Sequence, residues 1–131
     1  MNKKLGLTLI EMLIICIIIG ILATFAMPGY FKSKEKALDK DAQANLRLII
    51  AAEKILRMET GSYGAYDNIP QINTGLHLDI PNPATPSWIY KTIAAAGTDT
   101  ATAKAQRNGS DDRVWCMGNA DEEAYTQGCS W

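Results

Sequence analysis

Histidine is almost missing from this chain of 131 residues, where His77 stands alone. Any Ser/His/Asp or Cys/His catalytic set would have to be built on that one imidazole, and no plausible set is read around it. No glycine-rich run has the spacing of a loop that cradles phosphate. Excess charge is missing too: 13 Lys and Arg stand against 14 Asp and Glu, a net charge of -1. Binding nucleic acid takes a clustered basic surface, so no specific nucleic-acid partner is expected. Lys32, Lys34 and Lys36 are interleaved with Glu35 and Asp39, the pattern of a solvated helix face. Cysteine is sparse, with three residues. A structural zinc site takes four ligands, and only His77 could join the pair Cys116 and Cys129, since Cys16 lies in a long apolar run, so no metal is expected. Asp111, Asp112, Asp121, Glu122 and Glu123 offer oxygens but lack the spacing of a calcium loop. Solvated turns account for them. Nothing calls for a cofactor, and nothing reads as an enzyme.

Charge is also missing from one long stretch. From Leu7 to Met27 the only charged residue is Glu11, and the run is 21 residues long. At about 1.5 Å per residue such a helix reaches roughly 30 Å, the thickness of a bilayer core. A cleaved secretory signal would have a shorter apolar core and a small-x-small site behind it. Ala23-Thr24-Phe25-Ala26 is a poor version of that site, so the run reads as a retained helix. Cys16, inside it, reads as a small lipid- or helix-facing residue. Phe25, Tyr30 and Phe31 fit interfacial anchoring or subunit packing. Lys3 and Lys4 precede the run while Lys32, Lys34, Lys36 and Lys40 follow it, which leaves orientation open. Cys116 and Cys129, with 12 residues between them, fit a disulfide-closed loop if that region lies outside the cytoplasm. On that ground the N-terminus is placed inside.

Glu11 is the anomaly of the run. A carboxylate deep in lipid costs on the order of 2.5 kcal/mol or more and is a functional candidate by default. The alternative is a position near the start of the helix, where the macrodipole favours an anion and the side chain can reach the headgroups. The residues alone leave both open.

The stretch Lys3-Lys4-Leu5-Gly6-Leu7-Thr8-Leu9-Ile10-Glu11 closely resembles the processing site of type IV prepilins and type II secretion pseudopilins. In that family a short basic leader ends in glycine, and a membrane peptidase cuts after it and methylates the new N-terminus. The resemblance implies that Gly6 ends the leader and that Leu7 becomes the methylated first residue, although Phe or Met is commoner there. Glu11 then falls at the family's glutamate. Gly20 and Pro28 fall where many members have them, and the resemblance implies a helix that loosens near them on assembly. Close helix packing explains Gly20 equally well. The resemblance is strong over residues 3–30, looser to about 60 and architectural beyond. It also gives Glu11 a partner. A new positive N-terminus and a carboxylate are both costly in an apolar setting, and a neighbouring subunit shifted along the axis can bring them together.

Beyond the apolar run, Leu38, Ala42, Leu46, Ile49, Ala52 and Leu56 recur at three or four residues and form an apolar stripe of a helix from Tyr30 to about Glu59. Lys34, Lys40, Arg47 and Lys54 lie mostly off it. Leu48, Ile50 and Ile55 widen it, as suits a helix that meets both its own sheet and neighbouring subunits. A fully buried core helix would look similar. Thr60-Gly61 supplies a stop. Residues 61–87, rich in Gly, Pro, Asn and Tyr, read as a loop with little regular structure, and His77 there reads as a surface or packing residue. Three β-like stretches follow: Trp88 to Ala95, Thr98 to Arg107 and Arg113 to Met117. Asn108-Gly109 is a turn signal. It also explains Asn108-Gly109-Ser110, which matches a glycosylation pattern.

The expected fold is α+β and pilin-like. A long N-terminal helix, membrane-spanning in its first half and amphipathic in its second, packs on an antiparallel sheet of about three strands. The expected division is a leader over 1–6, a membrane and assembly helix over 7–28, its amphipathic continuation over 29–60 and a globular region over 61–131 with the disulfide loop. The expected function is a structural subunit of a type IV pilus-like filament. Its partners would be copies of itself, the prepilin peptidase and methyltransferase, the assembly platform and minor pilins. The precursor would sit in the bacterial inner membrane with its N-terminus cytoplasmic, and the product would be an extracellular filament or a periplasmic pseudopilus. A type II secretion pseudopilin is the near alternative. A single-pass anchored periplasmic binding module or enzyme is the alternative of another class.

Overall fold

Thr8 opens the first element by capping it, and the apolar run then propagates as helix. The computed structural model describes residues 8–94, 99–109 and 113–131. In it α1 runs from Leu9 to Thr60, 52 residues without a break. Pro28 lies inside α1. It has no N–H to donate, yet the helix continues on both sides. α1 stops where the sequence signals: Gly61 adopts φ 83°, a left-handed conformation that glycine takes without a Cβ clash. Its N–H donates to the Arg57 carbonyl at 2.8 Å.

The chain divides into two compact units, Met1–Ala37 and Leu38–Trp131. The described part of the first is helix behind its cap. The second holds the rest of α1, then α2 (Ile69–Leu76), β1 (Trp88–Ala94), β2 (Ala101–Arg107) and β3 (Val114–Gly118). The strands form an antiparallel sheet in the order β1-β2-β3. The expected α+β arrangement of a long helix and a small three-stranded antiparallel sheet is present.

α2 corrects the expectation of a loop over residues 61–87. The density of Gly, Pro and Asn there reads as punctuation, but two of those residues start a helix. The Asn68 side chain accepts from the Gln71 N–H at 3.0 Å, and Pro70 occupies the first turn, where a missing N–H does no harm. His77 ends α2 in the left-handed region, φ 52°. The strands fall close to their expected places. β2 starts at Ala101, and the expected ends Ala95 and Thr98 lie outside the described residues. Asn108 does more than turn the chain. Its N–H donates to the Ser87 carbonyl at 3.0 Å, and its side chain donates to the Pro86 carbonyl at 2.9 Å. Ser110, Asp111 and Asp112 lie outside the described residues.

The core of the second unit joins one face of α1 to one face of the sheet. Ala42, Leu46, Ile49, Ile50 and Ala52 meet Ile69, Ile72 and Leu76 of α2, with Trp88, Tyr90, Ala103, Ala105 and Met117 from the strands. Each fully buried Leu or Ile contributes roughly 1.5–3 kcal/mol. Polar ties fix the packing. Asn45 donates to the Tyr90 hydroxyl at 3.0 Å, and burial pushes that hydroxyl up to about 12. Arg113 grips both oxygens of Asp39 at 2.8 and 2.9 Å.

Candidate functional site

Every residue from Thr8 to Lys34 is exposed. That surface includes Leu9, Ile10, Met12, Leu13, Ile14 and Ile15, continuing to Phe25 and Met27. By length and composition α1 can cross a membrane, as a signal sequence near the N-terminus also could. An exposed apolar surface of this extent needs lipid or protein to cover it.

Glu11 sits in the first turn of α1. Its Oε2 accepts from the Thr8 N–H and the Thr8 hydroxyl, both at 2.9 Å. The Glu11 N–H in turn reaches the Thr8 hydroxyl at 3.4 Å. This is a capping box, in which two backbone donors at the helix start are satisfied reciprocally. The Thr-x-x-Glu spacing was readable in the sequence, and it gives Glu11 a partner on its own chain. Gly6 and Leu7, the expected processing residues, lie outside the described residues.

Further along, nothing would meet a Cβ placed on Gly20, and its carbonyl accepts from the Thr24 hydroxyl at 2.9 Å. Tyr30 and Phe31 stack edge to face with centroids 6.0 Å apart. Cys16 is a free, exposed thiol on this helix.

Within the second unit α1 carries a second apolar stripe. Ala44, Leu48, Ala51, Ile55 and Met58 are all exposed and recur at alternating intervals of four and three, so they share a face. Of the residues that widen the expected stripe, Ile50 turns into the core while Leu48 and Ile55 face outwards.

One charged residue escaped the sequence reading. Glu53 is 0% exposed, on the core side of α1. Its Oε2 accepts from the Gly64 N–H at 2.9 Å, while its Oε1 has no hydrogen-bond partner among the described residues. Burial, partly offset by the Gly64 N–H, raises this carboxyl above its ordinary value. Burial and the nearby Glu53 also raise the Tyr66 hydroxyl. The Tyr66 ring fills the space beside Gly64 and Gly75, where a Cβ on either glycine would strike it. The Tyr66 and Thr92 backbones bond reciprocally, with Thr92 N–H to Tyr66 O at 2.8 Å. Glu53 thus holds the 61–66 segment against the edge of β1.

Cys116 and Cys129 are joined as a disulfide. Among the described residues no three His, Cys, Asp or Glu side chains gather where they could hold a metal ion. The acidic residues of 121–123 do not converge. Asp121 instead accepts from the Gly118 N–H at 2.6 Å.

The family description "Prokaryotic N-terminal methylation motif" matches residues 1–27. The type II secretion system core protein G of Vibrio cholerae is 35% identical over 86 residues, 66% of this chain and 55% of that protein. The type IV major pilin of Myxococcus xanthus is 36% identical over 66 residues, 50% of this chain and 30% of that protein. The type IV wide pilus major component of Thermus thermophilus is 26% identical over 125 residues, 95% of this chain and 88% of that protein. The chain therefore spans about half the length of the Vibrio relative, and less of the Myxococcus one. No solved structure matches at a significant level. With the methylation motif at its head, and with pilins and secretion-system proteins among its relatives, the chain is similar to the type IV pilin and type II secretion pseudopilin family.

Proposed function

We propose that this chain is a structural subunit of a type IV pilus-like filament, made as a membrane precursor and polymerised through α1. The observation that carries the reading is the uncovered apolar surface of α1 from Leu9 to Phe31. A bilayer covers such a surface in the precursor, and the same segments of neighbouring copies cover it in a filament. In this reading residues 1–6 are the leader, 7–28 the membrane and assembly segment, 29–60 its amphipathic continuation and 61–131 the globular remainder. Prepilin peptidase cuts after Gly6 and Leu7 is methylated. The N-terminus faces the cytoplasm until assembly, and a platform and minor subunits start the filament. Subunits of this family are structural and not enzymes. A pseudopilin role is favoured by the secretion-system relatives, and it uses the same helix in a shorter, periplasmic assembly.

In this reading Glu11 has two successive roles. In the single chain its carboxylate caps α1, which keeps it satisfied near the start of the helix. In the filament its charge is balanced by the positive N-terminus of an adjacent subunit. Glu11→Gln separates the two, because glutamine also serves at this position of a capping box but carries no charge. The variant is expected to insert into the membrane and be processed like the wild type, yet give few or no filaments in electron microscopy of sheared cell surfaces. Wild-type numbers of filaments from Glu11→Gln would reduce Glu11 to a cap and remove the intersubunit pair.

A further inference from the structure

The outer face of the sheet, turned away from the core, carries one unusual row. Lys91 on β1 pairs with Lys104 on β2, and Lys104 pairs with Cys116 on β3. Two lysines directly opposite each other repel. Three consecutive residues cross this row in order. Cys129 is bonded to Cys116. The Ser130 carbonyl accepts from Lys104 Nζ at 2.6 Å. The Trp131 ring lies under Lys91 Nζ, 4.2 Å from its centroid. Two steps between strands span roughly 10 Å, and three residues in extended conformation can reach about that far.

The approach to the row is also fixed without the disulfide. The Cys116 and Tyr125 backbones exchange two hydrogen bonds, both 2.8 Å. The chain then reverses through Gly128, φ 71°, and the Cys129 N–H closes the reversal on the Thr126 carbonyl at 3.3 Å. Only one of the three ties across the row is covalent.

We propose that Lys91 and Lys104 are positioning residues for a covalent modification, the closure of the Cys116–Cys129 disulfide. They seat residues 129–131 across the folded sheet before oxidation and so deliver one thiol to the other. Docking gives each lysine an electron-rich partner, a carbonyl or a ring face, which offsets their mutual repulsion. It thereby raises the effective concentration of Cys129 at Cys116 over that at Cys16 or at a cysteine of another chain. The oxidant is a low-molecular-weight disulfide or a disulfide-exchange protein. One thiolate attacks the oxidant's disulfide to form a mixed disulfide, and the second thiolate displaces the remaining oxidant thiol. Two electrons and two protons leave the cysteines and appear as two reduced thiols of the oxidant. The inference holds equally for a pilus and a pseudopilus subunit.

The test uses the full chain in detergent micelles, in a Cys16→Ser background so that one intramolecular pairing remains. The reduced protein is equilibrated in mixtures of reduced and oxidised glutathione, and alkylation followed by mass spectrometry gives the effective concentration of the pair. Lys104→Met and Trp131→Ala should each lower it by roughly two- to fivefold, the worth of one cation contact. Lys91→Arg should keep it near the parent value, since a guanidinium also sits over a ring, and Lys34→Met should leave it unchanged. Parent values for both Lys104→Met and Trp131→Ala would overturn the proposal. A second measurement guards against a variant that fails to fold. In a Cys116→Ser, Cys129→Ser chain, Lys91 and Lys104 should be acetylated more slowly than the exposed Lys34, because the strap stays seated. Equal rates for all three would show that only the disulfide holds it.

Discussion

Glu53 occupies a core position of α1 where an isoleucine or leucine would be ordinary, and its carboxyl has been traded for a hold on the segment that follows the helix. One oxygen takes the Gly64 N–H, the other is buried without a partner among the described residues, and the acid is consequently harder to ionise. The sign of the pH effect follows. Below its ordinary value of 4.5 the acid is protonated in both folded and unfolded chains and contributes no pH dependence. As pH rises from there towards the higher folded value, the unfolded chain releases the proton first, so this group lowers stability across that window, and its effect levels off above it. Glu53→Gln keeps an acceptor for Gly64 and cannot ionise. Denaturant unfolding of the full chain over a pH series should therefore show the wild type losing stability relative to Glu53→Gln as pH rises through the window. Parallel curves would contradict it. Glu53 was not legible in the sequence, because a charge beside an apolar stripe ordinarily lies on its solvated border. What buries it is the 61–66 segment, placed by the Tyr66 ring beside two glycines, a tertiary fit that no local spacing announces. Glu11 was the reverse case. Its oddity was plain from composition, while its cap depended on recognising Thr8 three residues before it.

Among the elements, α1 was the most legible, because a period near 3.6 marks a buried face wherever it runs. Ala42, Leu46 and Ile49 were on that stripe and are in the core. The strands showed as well, since Trp88 and Tyr90 alternate with Ile89 and Lys91 and the alternation matches burial. α2 was hidden for a physical reason: at eight residues it is too short for periodicity to show, and its start signals, Asn68 and Pro70, are also turn residues. The exposed stripe of Ala44, Leu48, Ala51, Ile55 and Met58 was blurred in the sequence with the core stripe, and the structure separates the two. Leu48 is 46% exposed and Ile55 53%, so a charge at either removes little core packing, and such surface changes typically move stability by no more than about 0.5 kcal/mol. If this face meets neighbouring subunits, Leu48→Glu with Ile55→Glu should leave the unfolding midpoint of the single chain nearly unchanged while filament yield from sheared cells falls severalfold or more. Unchanged yield would show that the stripe faces solvent in the assembly.

For the whole molecule, the arrangement separates two solvents along one chain. Up to Lys34 the described residues are exposed and, apart from Glu11, uncharged through Phe31, a surface fit for lipid or for like helices. From Leu38 the chain builds an ordinary small core, strengthened by a disulfide worth roughly 3 kcal/mol in the chain-entropy view and by the strap that crosses all three strands. The halves meet in the proposed life of the protein, in which the soluble unit matures outside the cytoplasm while the apolar helix waits in the bilayer. In that proposed life the step that commits the chain to assembly is removal of the leader, because it would create the positive N-terminus that pairs with Glu11 of a neighbour. The most direct measurement is mass spectrometry of the N-terminal peptide of the chain recovered from cells with an active prepilin peptidase. A chain that begins at Leu7 and carries one added methyl group is the expected result; a chain that keeps Met1 to Gly6 and has no methyl group at Leu7 would contradict the account.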